Sequence, residues 1–170
     1  VFAQHLSFTG EMGWEIFITP DFAEYVFEQL YQAGQAYDLR LAGGEALNAL
    51  RIEKGFVHWG SDMAYTESPH QIGLGFACDV DKDIAFTGKA AYLARRAEAK
   101  GPFLCSLKLQ QPDAMLHHNE PVLRDGAIVG FITSGAFSAA KGSAVGLCLI
   151  KPLAGISGGE ALEKGDYSVL

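Results

Sequence analysis

The sequence has no apolar run long enough to cross a bilayer. Its longest, such as "AVGLCLI", falls far short of the roughly 20 residues a spanning helix needs. The first residues show neither the basic start nor the small-residue cleavage site of a signal peptide. Lys and Arg form no block and the formal charge is −7, so a phosphate backbone would meet no clustered positive charge. Cysteine is scarce. Cys78, Cys105 and Cys148 are odd in number, far apart and set among apolar residues, which supports neither a disulfide framework nor a CxxC metal pair. They read as buried thiols in a reducing compartment: the cytoplasm, or the mitochondrial matrix in a eukaryote. The five histidines are no more suggestive of a metal, since His117 and His118 adjoin in a loop without a carboxylate or Cys at ligand spacing. "TSGAFSAAKG", residues 133–142, is rich in Gly and Ser but lacks the GxxxxGK[ST] spacing and does not lead from a strand into a helix, so it is not a phosphate-binding loop. With membrane and nucleic acid set aside, a small molecule or another protein is the expected partner.

The 170 residues are 49% hydrophobic and 19% charged, enough for one large soluble domain or two small ones. The chain opens without Met inside the alternating run "VFAQHLSF" and closes inside "DYSVL", so we expect a piece of a longer protein.

Residues 1–100 read β-β-α-β-α-β and then a third helix. "VFAQHLSF" and "WEIFIT" are strands joined by "TGEMG", whose glycines suit a tight reversal. Thr19 followed by Pro20 starts a helix with Phe22, Val26 and Leu30 on one face, stopped by Gly34. A short run around "YDLRL" leads into a second helix from Gly44 to Lys54, closed by Gly55 in a left-handed conformation. After "FVHWG" comes a polar loop from Gly60 to Pro69, then "IGLGFACDV", expected to be extended. Thr87 is the expected N-cap of a third helix, with Ala90, Leu93, Ala94 and Ala97 facing inward and "AKGP" closing it.

From Phe103 the apolar period changes from about 3.6 to 2. Phe103, Cys105, Leu107 and Leu109 alternate with Leu104, Ser106 and Lys108 as in a half-buried strand. "VLRDGAIVGFIT" holds two strands around Asp125-Gly126, a hairpin signal, and "AVGLCLI" supplies another. The fold class is therefore α+β: antiparallel sheet with helices over residues 1–100, then a small antiparallel barrel or sandwich over 101–170, with the boundary near 99–102.

Three features could carry chemistry. In "SFTGEMGWEIFI", residues 7–18, Glu11 sits in a turn and Glu15 in an apolar strand. Glu15 either faces water or faces a cleft, where it could accept two parallel N–H bonds from an Arg or from an amidine-like ligand edge. "LRIEKG", residues 50–55, places Arg51 in the last turn of a helix, where the dipole favours a cation and the role is structural. "HWGSD", residues 58–62, puts Trp59 and Asp62 in a loop, as ligand-lining or loop-fixing groups.

Taken in order, "SFTGEMGWEIFI", "ALNALRIEKGFVHWGSDM", "SPHQIGLGF", "FTGKAAYLARRAEAKG" and "GFITSGAFSAAKGSAVGLCLI" resemble the glycine-cleavage T-protein (aminomethyltransferase) family. They are similar to its "YTGExGxE" hairpin, "LRLExG" helix, "GxDxxxxxxPxEAGL" loop, "FxGkxAL" helix and "GxxTSGxxSPxxkxxIALG" barrel segment. The resemblance covers nearly the whole chain, and "NALRIEKGFVHWGSD" is most similar to the folate-binding half of the dimethylglycine and sarcosine dehydrogenase type. It implies a tetrahydrofolate-binding fold of several domains, the last a jelly-roll-like barrel, and it implies that Glu15 holds the pterin, with Trp59 and Asp62 lining or fixing the site. It also implies transfer of a one-carbon unit from a methylated or aminomethyl amine to tetrahydrofolate. The partner would be an upstream flavin (FAD) domain in a dehydrogenase-type parent, or a lipoyl carrier protein in a T-protein. The alternatives on the same scaffold are a regulatory or tRNA-modification folate module, whose "KGCYxGQE"-like cysteine motif is absent here, and a folate-dependent demethylase.

The departures are specific. Leu47 stands where T-proteins carry an Arg for the folate glutamyl tail, and Gln71 replaces the Glu of "PxEAGL". The family's catalytic Asp falls upstream of residue 1 and its closing aromatic residue beyond Leu170. The chain alone is thus expected to hold part of a pterin pocket and to be inactive.

Overall fold

The structure is a computed structural model that describes residues 1–98, 100–154 and 160–170, and only the backbone of 160 and 161. Backbone contacts divide it into two compact units, Val1–Phe56 and Val57–Leu170.

The first unit begins with a short antiparallel pair, β1 (Phe2–Gln4) and β2 (Glu15–Phe17), both shorter than the alternating runs that contain them. The reversal between them works as the glycines require. Gly10 has φ +71°, and the Ser7 hydroxyl accepts the Thr9 N–H at 3.2 Å. Glu11, in that turn, pairs with Lys54 at 3.4 Å on the surface. Helix α1 (Pro20–Gly34) starts at Thr19, with Pro20 inside its first turn. The Thr19 side chain makes no capping bond; its carbonyl accepts the Phe22 N–H at 3.0 Å. The stripe Phe22, Val26, Leu30 does not bury, and no residue of α1 is buried. The helix ends at Gly34, where Leu39 packs in the place a side chain would take. The chain then makes a short 3-10 turn (Gln35–Tyr37) closed by Asp38 at φ 54°, where the strand expected around "YDLRL" does not form.

Helix α2 (Gly44–Glu53) ends as its sequence indicates. Gly55 has φ +74°, Gly55 N–H bonds Ile52 O at 3.0 Å and Phe56 N–H bonds Arg51 O at 2.8 Å, a Schellman closure. Arg51 is buried in that closure. Its Nε donates to Asn48 Oδ1 at 2.8 Å and a guanidinium nitrogen to Phe56 O at 3.1 Å, so its work is structural.

In the second unit, "IGLGFACDV" is not extended. Gly73 at φ +77° breaks the run, and Gly75–Ala77 form a 3-10 turn. Helix α3 (Lys89–Glu98) is capped at Gly88, φ +91°, whose carbonyl accepts the Tyr92 N–H at 2.9 Å, and not at Thr87. Its buried residue is Tyr92; Ala90, Leu93, Ala94 and Ala97 are exposed. A bulky ring one step from the alanine stripe takes the core side. Of the closing "AKGP", Ala99 lies outside the described residues.

Strands β3 (Phe103–Lys108), β4 (Pro121–Arg124), β5 (Ala127–Ser138), β6 (Ser143–Ile150) and β7 (Tyr167–Val169) form an all-antiparallel sheet in the order β3-β6-β5-β4-β7, with the short α4 (Glu160–Glu163) before β7. The hairpin falls at Asp125-Gly126, φ 52° and 80°, as a two-residue turn with both residues left-handed demands. The sheet curls round a core of Leu116, Val122, Val129, Ile132, Ala144, Cys148 and Ile150. Inside it is a cavity of about 1000 Å³. Its outer strands β3 and β7 are not paired with each other among the described residues, so the barrel is open. Two bulges bend β5. Val129 is the extra residue against β4, and Thr133 the extra residue against β6.

Cys105 and Cys148 lie opposite each other across β3 and β6. Burial pushes both thiols up, and the Cys105 charge adds to this at Cys148, which rises to about 12. Both are poor nucleophiles at neutral pH.

Candidate functional site

Strand β2 holds Glu15 opposite Gln4 of β1. Glu15 is half-buried, while its apolar neighbours Trp14, Ile16 and Phe17 are 62%, 38% and 51% exposed. That inverts the usual order, since a carboxylate should be the group left in water. Neither oxygen of Glu15 has a hydrogen-bond or ion-pair partner among the described residues, so both remain available as acceptors. Trp14, on the other face, packs at 4.9 Å against His5.

Leu47 is exposed on α2 and supplies no cation for an anionic tail.

The loop from Gly60 to Pro69 is built round Asp62, which is 0% exposed. Its Oδ2 accepts the His58 N–H at 2.9 Å, and its Oδ1 accepts the Thr133 hydroxyl at 2.6 Å. The same hydroxyl lies 3.1 Å from Leu147 O, but it has one proton, and the shorter, charge-assisted bond takes it. The Thr133 bulge aims that side chain at the loop. Around this anchor, Gly60 N–H bonds Met63 O at 2.8 Å, and Glu67 accepts the Ala64 N–H at 2.8 Å. Trp59 is left exposed on the loop's backbone, bridged to Met63.

Gln71 ties the loop onward to the sheet. Its Oε1 accepts the Ser68 N–H at 2.8 Å, while its Nε2 donates to the carbonyls of Lys100 at 3.0 Å and Pro102 at 3.2 Å. A carboxylate could accept but not donate, so the amide is required by its partners and not by charge. Gln71→Glu is expected to lower stability by about 1–3 kcal/mol, the worth of two lost bonds; unchanged urea denaturation would contradict it.

Beside it, His70 Nδ1 meets Ser68 Oγ at 2.9 Å, and its ring packs edge-on against Tyr92 and Phe103. Burial, then the charges of Arg96 and Arg95, lower its pKa below the usual 6.5. The folded state therefore resists protonation. The contribution to stability is complete above pH 6.5 and is lost as pH falls through the depressed folded value. A smaller drop in melting temperature between pH 7.5 and 5 in His70→Gln than in the parent would check this.

Asp62 and Trp59 thus share one loop, while Glu15 belongs to the β1–β2 hairpin. Reading the sequence missed Thr133, which lies within "TSGAFSAAKG"; its only local signal is a hydroxyl ending the apolar run "IVGFI". Among the described residues no group of three or more His, Cys, Asp or Glu is arranged for a metal ion, and no helix is long and apolar enough to cross a membrane.

Comparison with known proteins agrees with this architecture. The family model of the GCVT N-terminal domain matches residues 1–82, and that of the glycine cleavage T-protein C-terminal barrel domain matches residues 103–168. The chain is 38% identical over 157 residues to 4-methylaminobutanoate oxidase (formaldehyde-forming) of Paenarthrobacter nicotinovorans, covering 92% of this chain and 19% of that protein. It is 36% identical over 138 residues to mitochondrial dimethylglycine dehydrogenase of Rattus norvegicus, covering 81% and 16%. The glycine cleavage system aminomethyltransferase T from Bartonella henselae has the same fold, with TM-score 0.76 at 23% identity over 88% of this chain and 41% of that one. The chain belongs to the glycine-cleavage T-protein (aminomethyltransferase) family. It spans less than a fifth of the length of the two relatives.

Proposed function

We propose that this chain is the folate-handling part of a larger protein that moves a one-carbon unit from a methylated or aminomethyl amine to tetrahydrofolate. The observation that carries this is Glu15: a half-buried carboxylate with both oxygens open, whose apolar neighbours Trp14, Ile16 and Phe17 are more exposed than it is. A pterin fits that acceptor, because its 2-amino group and N3–H form a two-donor edge that a carboxylate grips with both oxygens. Bound tetrahydrofolate supplies the nucleophilic nitrogen, N5 or N10, that takes the one-carbon unit. The protein contributes orientation and exclusion of water. Glu15 orients the ring. Asp62, sealed inside its loop, acts by fixing that loop, and Trp59 is the exposed ring the loop offers to a ligand.

Similarity to 4-methylaminobutanoate oxidase and dimethylglycine dehydrogenase supports a parent of the amine-oxidising type, with FAD in a separate upstream domain and this part receiving the product. The match of the barrel model from residue 103 supports a domain boundary near 100. A reducing compartment, cytoplasm or mitochondrial matrix, suits thiols as inert as those of Cys105 and Cys148.

Titrating tetrahydrofolate into the full-length protein and into its Glu15→Gln variant tests the assignment. A hydrogen bond to a charged group contributes about 1.5–3 kcal/mol, so affinity is expected to fall about 10- to 100-fold. Equal affinities would sink it.

A further inference from the structure

The register of β1 and β2 sets Gln4 directly opposite Glu15. Directly opposed residues of an antiparallel pair share a face, with Cβ atoms roughly 4.5–5.5 Å apart. Alternation along each strand adds Phe2 and Phe17 to that face, their rings 5.8 Å apart and both exposed. The His5–Trp14 stack lies on the other face, because it follows Ala3↔Ile16 in the same register. One face of the hairpin therefore presents an acceptor-only carboxylate, a carboxamide beside it and an apolar aromatic shelf. Gln4 could donate to Glu15 and does not: neither side chain has a partner among the described residues.

We propose that Gln4 is a specificity-determining residue of this site, its amide N–H donating to the ring carbonyl adjacent to the N–H that Glu15 grips. This rests on the pterin reading of Glu15. The edge of a pterin runs amino donor, N–H donor, carbonyl acceptor. A carboxylate satisfies the two donors but would face the carbonyl with like polarity, and only a donor next to it completes the pattern. Gln4 supplies that donor at the neighbouring position, and a site whose polar groups are matched to the ligand rejects one that lacks them.

The test uses the full-length protein, tetrahydrofolate, and folate carrying ¹³C at the ring carbonyl. Gln4→Met keeps the length and apolar stem but removes the donor. Gln4→Glu substitutes a second acceptor. Because Gln4 is exposed, both variants are expected to keep the parent's thermal unfolding, which is measured alongside. Expected are about 3- to 10-fold weaker tetrahydrofolate binding in Gln4→Met and a larger loss in Gln4→Glu. In difference infrared spectra the labelled carbonyl stretch should move to higher wavenumber in Gln4→Met, as a hydrogen-bonded carbonyl does when released. If Glu15→Gln weakens binding while Gln4→Met leaves both affinity and carbonyl band unchanged, the proposal fails and the pterin reading stands. If Glu15→Gln also changes nothing, both fall together.

Discussion

Asp62→Ala is expected to destabilise the protein by about 3–5 kcal/mol, as read from the urea midpoint of the full-length chain at constant m-value. The carboxylate is fully buried and receives the His58 N–H and the Thr133 hydroxyl. Each bond to a charged acceptor contributes on the order of 1.5–3 kcal/mol, and truncation removes the acceptor of the His58 N–H and the whole of a side chain packed inside the loop. The hydroxyl is less affected, because Leu147 O stands 3.1 Å away and takes its proton. Asp62→Asn keeps the volume but turns one acceptor into a donor that faces a donor, so its cost should lie between those of the parent and the alanine variant. A loss below about 1 kcal/mol in Asp62→Ala would mean that the loop is held by its local turns alone. The loop that loosens carries Trp59, which is bridged to Met63.

Gly130→Ala is expected to cost about 3 kcal/mol or to prevent accumulation of soluble protein. A Cβ on Gly130 would fall on the carbonyl oxygen of Leu149 and stand 2.9 Å from its carbon and 3.1 Å from Ile150 Cα. All three are backbone atoms of β6, the strand buried along most of its length, so none can swing aside as a side-chain tip could. The residue is not required for left-handed backbone; it is required because two strands approach where Val129 bulges. Gly126→Ala is the control for a different cause. Its φ of +80° makes alanine strained, yet no atom lies within 4 Å of the added carbon, so the loss should be about 1 kcal/mol. Equal losses in the two variants, by thermal unfolding, would refute the close-approach explanation.

What could be read in advance follows the reach of each interaction. Gly55 at the end of α2, the Asp125-Gly126 hairpin and the alternation of β3 all depend on residues within a few positions, and all form where their patterns stand. "IGLGFACDV" misleads because its apolar content suggests a strand while Gly73 adopts a positive φ that interrupts one. The α3 stripe misleads because alanines set the period while Tyr92, with far more surface to bury, takes the inside. The candidate site divides in the same way. Glu15 attracts notice as a charge in an apolar run, a local contrast. The partnership of Asp62 with Thr133 joins residues 71 positions apart, and nothing near either one announces the other. Gln71 could be seen only as a departure from a family pattern; its two carbonyl partners near residue 100 show why an amide suits the place.

The bulge at Thr133 divides β5 into two stretches of opposite phase. Between the two bulges, even-numbered Gly130 and Ile132 stand opposite the core residues Ile150 and Cys148; after Thr133, odd-numbered Gly135 lies against Leu116, and Ser134, opposite Leu147, faces the other side. The strand is read in one frame from 130 to 132 and in another from 134 onward. Removing Thr133 would leave Ile132 opposite Cys148 and Ser134 opposite Leu147, a regular ladder with the same faces, but without the hydroxyl that reaches Asp62. The extra residue is therefore kept for what it carries and not for the ladder: a deletion at 133 could leave a barrel, but the loop round Asp62 would lose its tie to the sheet.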